Sequence, residues 1–147
     1  MYDYKYLTSI PITNSNKIMN KYIGDKVVQK RLEDKSHEGD VRVENLKNGL
    51  QLLYCTLADW HYDYKVISTL LILQSDRHII QIEDECVDNY RILKKGDIVR
   101  LNIDCVHRLI SNKQNPKLFV ALVMEPKKMK TLEASVFFTY VLKQLDV

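Results

Sequence analysis

Cysteine is scarce and unpatterned in this 147-residue chain: Cys55, Cys86 and Cys105 are odd in number and have no C-x-x-C spacing. That argues against a disulfide framework and for a reducing compartment. Charge of one sign is also in short supply. The formal net charge of +3 is too small to argue for nucleic acid by itself. No run of Lys and Arg forms a stripe, and the cluster Lys127-Lys128-Met129-Lys130 reads as a solvated linker. Long apolar runs are missing too. The opening MYDYKYLTSI has no apolar signal-peptide region, and no stretch approaches membrane-spanning length, so a soluble, cytoplasmic protein is expected. Repeats and low-complexity segments are absent. What is present is ordinary globular chemistry, 46% hydrophobic and 28% charged residues, in a chain near the commonest domain size. A single domain over 1–147 is expected.

Within it, residues 1–12 look like an opening strand. Asn14-Ser15-Asn16 can cap a helix over about 17–32, with Ile18, Tyr22, Val27 and Val28 as a loose apolar stripe. Val41 to Leu46 alternates weakly, Asn48-Gly49 is a hairpin signal, and Leu50 to Leu57 follows as a strand. Val66 to Leu73 is a β-rich apolar run, broken at Gln74-Ser75-Asp76, after which His78 to Ile82 alternates again. Leu118 to Met124 is a further strand. Over about 131–146 an amphipathic helix carries Leu132, Val136, Phe137, Tyr140 and Val141 on one face; it can pack on the barrel or make a homodimer contact.

The richest chemistry lies in His61-Tyr62-Asp63 and in His107, 44 residues after the aspartate. In an extended strand, residues i and i+2 share a face, so His61 and Asp63 can bind one ion while Tyr62 points away. Two imidazoles and a carboxylate are the ligands of the facial triad that holds non-heme Fe(II) with open positions. Lys94-Lys95-Gly96-Asp97 is a turn that launches the next strand. From Val99 to Leu109 the odd positions read Val99, Leu101, Ile103, Cys105, His107 and Leu109, while Arg100, Asn102, Asp104 and Arg108 fall between them. That pattern predicts one half-buried strand whose apolar face carries His107 inward, as a ligand or as a satisfied core histidine. His78 is open to the same two readings, as a pocket residue or a core one. His37, in the polar segment 33–40, reads as a solvated loop residue.

The stretch from about Leu52 to Glu125 resembles the double-stranded β-helix core of the Fe(II)/2-oxoglutarate-dependent oxygenases, which carry an H-x-D…H triad on a jelly roll. It also resembles the related cupins, whose second motif has a Gly eleven residues before its metal-binding His, the spacing of Gly96 and His107. The cupin first motif wants H-x-H followed by Glu, and Asp63 departs from it toward the oxygenase pattern. The resemblance implies a mainly β fold: one jelly roll with core about 41–125, an N-terminal helix and a C-terminal amphipathic helix. It implies a non-heme Fe(II) dioxygenase with His61, Asp63 and His107 on the metal and 2-oxoglutarate as small-molecule co-substrate. It also implies a cation about ten positions past the distal His for the far carboxylate of 2-oxoglutarate, which is where Lys117 stands; the alternative is a solvated loop lysine. Arg108 is another cation, but its parity should turn it outward. Tyr54 matches a position where members place a polar side chain on the co-substrate, or else it packs in its strand. The substrate to be hydroxylated has no signature. Two other classes stay open: a cupin-like metal or small-ligand binding module, and a jelly-roll interaction protein, for instance of viral origin, in which the three residues are structural.

Overall fold

Nine strands and two α-helices follow one another in the described part of the chain. The computed structural model describes residues 4–24, 41–61, 67–83, 90–102, 105–124 and 129–146. The order is β1 (Tyr4–Ser9), α1 (Ser15–Tyr22), β2 (Arg42–Asn45), β3 (Leu50–Cys55), β4 (Ala58–His61), β5 (Ile67–Gln74), β6 (His78–Ile82), β7 (Asp97–Asn102), β8 (His107–Ser111), β9 (Phe119–Met124) and α2 (Thr131–Leu145). A six-stranded sheet has the order β1-β7-β5-β9-β3-β2, and a three-stranded sheet the order β4-β8-β6.

The winding defines the architecture. From β3 to β9 successive strands alternate between the two sheets, and all pairs are antiparallel. Strands equidistant from the ends of that run pair with each other: β3 with β9, β4 with β8, β5 with β7. One long hairpin rolled on itself gives this order, and that is a double-stranded β-helix, or jelly roll. The N-terminal helix and the C-terminal helix flank it. No helix among the described residues is long and apolar enough to cross a membrane.

Both faces of the large sheet are covered, which is why β5 reads as a continuous apolar run rather than an alternation. On one face Leu52, Leu71, Ile98, Val120 and Leu122 pack with Ile18 and Met19 of α1 and with Ala134, Phe138 and Leu142 of α2. On the other, Leu70, Val99, Phe119 and Ala121 meet Ala58, Ile80, Ile82 and Leu109 of the small sheet. Gly96 joins three segments. Its N–H donates to the Ile72 carbonyl, its own carbonyl accepts from Ile10, and its φ of 97° suits glycine. A Cβ there would run into the Ile10 carbonyl oxygen.

Three expectations need correction. The segment Val99–Leu109 is two strands, not one: the chain leaves the large sheet at Asn102, turns through a Cys105 N–H bond to the Asn102 carbonyl, and enters the small sheet at His107. Inward parity survives on Val99, Leu101, His107 and Leu109 because both strands face the same space between the sheets. Cys105, placed on the inward face by alternation, is half-buried in that turn, with its thiol donating to the Asn102 carbonyl. Ile103 and Asp104 lie outside the described residues.

The N-terminal helix ends at Tyr22, with Gly24 just beyond at φ 86°, so the stop comes well before Leu32. Residues 25–32, like His37 and Cys86, lie outside the described part. Asn14 does occupy the cap position, but its amide donates to the Leu142 carbonyl and ties α1 to α2. The third correction concerns α2, which buries Ala134, Phe138, Val141 and Leu142 and leaves Leu132, Val136 and Tyr140 exposed. Both sets have helical spacing, so periodicity alone could not choose between the two stripes. The fully buried Phe138 marks the one that packs.

Candidate functional site

β4 and β8 pair so that His61 stands directly across from His107, with a register irregularity between Ala58 and His61. Irregularities of this kind re-aim side chains at strand ends. The two rings lie 4.3 Å apart between centroids and tilt by 60°. His107 is 6% exposed and His61 half-buried at the end of its strand.

Each ring is oriented by a backbone carbonyl two residues back. His61 Nδ1 is 2.6 Å from the Asp59 oxygen, and His107 Nδ1 is 2.8 Å from the Cys105 oxygen. A carbonyl only accepts, so Nδ1 carries the proton in both rings and Nε2 becomes the acceptor nitrogen. This tautomer, fixed by an Nδ1–H to carbonyl bond, is the form in which imidazole binds metals through Nε2. Imidazole nitrogens are donors of the chemical kind a divalent ion takes. Asp63, two residues past the end of β4, lies outside the described residues, and among the described ones no group of three His, Cys, Asp or Glu could hold an ion.

Beside the pair, a cavity of about 620 Å³ opens between the sheets. Its walls come from the odd residues of β3, Gln51, Leu53 and Cys55, and from Leu70, Leu101, Leu109, Phe119 and Val123, with His61 and His107 among them. Strand alternation explains the division of β3: Leu50, Leu52 and Tyr54 turn instead to the helix side. Arg108 also borders the cavity. Its guanidinium stacks on the Trp60 ring at 4.4 Å, and its Nε donates to the Gln81 side chain opposite.

The remaining expected residues go elsewhere. Tyr54 is buried in the helix-side core, its hydroxyl donating to Glu44, and so faces away from the cavity. Lys117 is exposed just ahead of β9; its backbone N–H donates to Asp76, and its side chain is not among those lining the cavity. His78 is a satisfied core residue. Its Nε2–H donates to the Thr56 carbonyl at 2.9 Å, and its Nδ1 accepts from the Asp76 N–H at 2.9 Å. Burial pushes its pKa down, outweighing the hydrogen bond to Thr56 and the charge of Asp76.

Sequence reasoning did not find the carbonyls of Asp59 and Cys105, the Trp60–Arg108 stack or the cavity. Main-chain acceptors leave no trace in residue types. An alternation on β3, Gln51-x-Leu53-x-Cys55 against Leu50-x-Leu52-x-Tyr54, was the available sign of two different neighbouring spaces.

No protein-family model and no curated protein matches the chain. Solved structures similar to it include a protein of Neisseria meningitidis at 16% identity, covering 67% of this chain and 96% of that one with a TM-score of 0.45. Another is the cupin_2 domain of an XRE family transcriptional regulator from Enterobacter cloacae, at 16% identity, covering 59% and 98% with a TM-score of 0.42. A cupin 2 domain-containing protein from Halorhodospira halophila shares 10% identity, covering 76% and 84% with a TM-score of 0.38. The assignment as a jelly roll rests on the strand order above.

Proposed function

We propose that the barrel is a cupin-like module that binds a divalent metal ion through His61 and His107, with Asp63 supplying a third donor, and a small molecule in the adjoining cavity. The observation that carries this reading is the paired imidazoles, each held by a carbonyl in the tautomer that offers Nε2. A bound ion would supply Lewis acidity and open coordination positions. The chain's own part is orientation and water exclusion. The carbonyls of Asp59 and Cys105 fix the rings, and Leu70, Leu109 and Phe119 wall the space beside them.

Thermal unfolding with and without Mn(II), Fe(II), Co(II) or Zn(II) tests the site. An ion at a hundred times its Kd should stabilise by about 2.7 kcal/mol, because only the native state binds it. His61→Ala, His107→Ala and Asp63→Ala should each abolish the shift. No shift with any of the four ions contradicts the reading.

One observation favours the oxygenase version of the same site. His61 ends the second strand of the rolled hairpin and His107 begins the sixth, its pairing partner, and the resemblance implies that these two residues belong to a triad that binds Fe(II) and 2-oxoglutarate. That version also needs a cation on the far carboxylate, and exposed Lys117 has to turn inward to provide it. Conversion of 2-oxoglutarate to succinate by the Fe(II)-loaded protein, reduced about ten- to a hundredfold by Lys117→Ala, supports it. No keto-acid turnover at millimolar concentration leaves the binding module.

A further inference from the structure

The three most exposed large hydrophobic residues among those described share one face of α2: Leu132 at 75%, Val136 at 62% and Tyr140 at 60%. They recur every four residues and so form one stripe along the helix. The opposite stripe, Ala134, Phe138, Val141 and Leu142, is buried in the core and fixes the rotation of the helix, which holds the first stripe outward. Exposed apolar side chains gathered on one face mark an interaction surface. The charges at its ends say what covers it. Glu133 stands exposed in the first turn and Lys143 exposed in the last, and neither forms an ion pair with a described residue. Val136 and Tyr140 lie two residues either side of Phe138, and Glu133 and Lys143 lie five either side of it. A two-fold axis at the level of Phe138 sets two copies of α2 antiparallel. It places Val136 across from the partner's Tyr140, and Glu133 across from the partner's Lys143, each of them twice. One register therefore satisfies the apolar pairs and the charged pairs together.

We propose that this face of α2 is the interface of a homodimer, in which two copies pair antiparallel through Leu132, Val136 and Tyr140 with reciprocal Glu133–Lys143 pairs at the ends. Burial of the apolar stripe supplies the affinity, and the rim charges set the direction of pairing. The contact is one helix of 15 residues against its like, about 22 Å long, which makes a small interface. The dimer is accordingly weak, with a Kd on the order of 10 µM. α2 lies on the far side of the large sheet from the cavity, so pairing does not cover His61 and His107 and does not depend on a metal.

Sedimentation equilibrium of the full chain, from about a tenth of that Kd to about thirty times it, tests the proposal. A reversible monomer–dimer equilibrium is expected. Val136→Glu sets a carboxylate against the partner's Tyr140 and should weaken association at least about hundredfold. The thermal midpoint of the monomer should stay where it was, since Val136 is exposed there. The charged pairs test the register. Glu133→Lys and Lys143→Glu should each weaken the dimer about tenfold, because each turns two attractive pairs into two repulsive ones. The double variant restores both pairs with their signs exchanged and should return association to within a few-fold of the starting protein. A monomer at every concentration overturns the proposal, as does a dimer indifferent to Val136→Glu. A dimer in which the two charge reversals fail to rescue each other overturns the antiparallel pairing. A monomer that binds phosphatidylglycerol vesicles, and loses that binding with Val136→Glu, assigns the face to a lipid surface instead. If Val136→Glu does not fold, the charge variants, confined to exposed positions, decide the question.

Discussion

The two faces of the six-stranded sheet use the same strands, yet they are covered differently. On the helix side, Phe138, Ile18, Leu52 and Leu122 are fully buried in a core closed by α1 and α2. On the other side the three-stranded sheet covers only part of the width, and a cavity of about 620 Å³ remains beside two histidines. The small sheet repeats the contrast within itself. At one end, His78 uses both ring nitrogens on main-chain groups. At the other, a main-chain carbonyl orients each of His61 and His107 through Nδ1. The same residue type is structural at one end of the small sheet and a proposed ligand at the other. The closed core and the proposed site thus lie on opposite sides of the large sheet.

The largest expected effect falls on the closed face. Phe138→Ala should cost about 3–5 kcal/mol, the cost of truncating a fully buried aromatic, measured by urea unfolding. Leu53→Ala, on a wall that already faces open space, should cost about 1 kcal/mol or less because little packing is lost. Equal costs at the two positions would erase the distinction between the faces.

His78→Leu should destabilise by about 2–4 kcal/mol, since it strands the Thr56 carbonyl and the Asp76 N–H. His61→Ala in metal-free protein should cost much less, within about 1 kcal/mol, because that ring is half-buried at a strand end. A His78 variant as mild as the His61 variant would make the two environments equivalent.

The pH dependence sharpens the same point. Burial holds the His78 pKa below the ordinary 6.5, so above that pH the ring is neutral in both states and no cost arises. As pH falls below 6.5, the unfolded chain takes up the proton first. Stability should then drop by up to about 1.4 kcal/mol per pH unit until the folded pKa is reached. His78→Leu should remove that slope. Asp97 acts in a lower window. Burial raises its pKa, but Arg91, the Ser9 hydroxyl and the Lys94 N–H outweigh it and hold the carboxyl below its usual 3.8. Its contribution is fully present above that value and is lost progressively below it, as pH falls through the lower folded pKa. A stability loss confined to pH below 4 would mean that His78 does not titrate as its burial requires.

Much of this layout was legible from residue order. The strand His78–Ile82, the Asn48-Gly49 turn and the inward parity of His107 follow from period-two patterning and turn chemistry, and the structure has them. The grouping of His61 with His107 came from ligand chemistry, two imidazoles and a carboxylate, and from the inward parity of His107, because cross-strand neighbours 46 positions apart leave no local periodicity. The buried side of α2 was read only in part: Phe137 and Val141 pack on the core, but Leu132-x3-Val136-x3-Tyr140 and Ala134-x3-Phe138-x3-Leu142 are equally good helical stripes and the exposed one was chosen. The break between β7 and β8 was hidden because parity carries across it when both strands face one interior. The roles of Asp59 and Cys105 reside in their carbonyls, which every residue type shares.

The most direct test of the account follows the ring nitrogens themselves. In ¹⁵N-histidine-labelled protein titrated with Zn(II), the Nε2 resonances of His61 and His107 should move together to metal-bound positions while both nitrogens of His78 stay fixed. Movement of His78, or Zn(II) binding that leaves His61 and His107 unchanged, would contradict it.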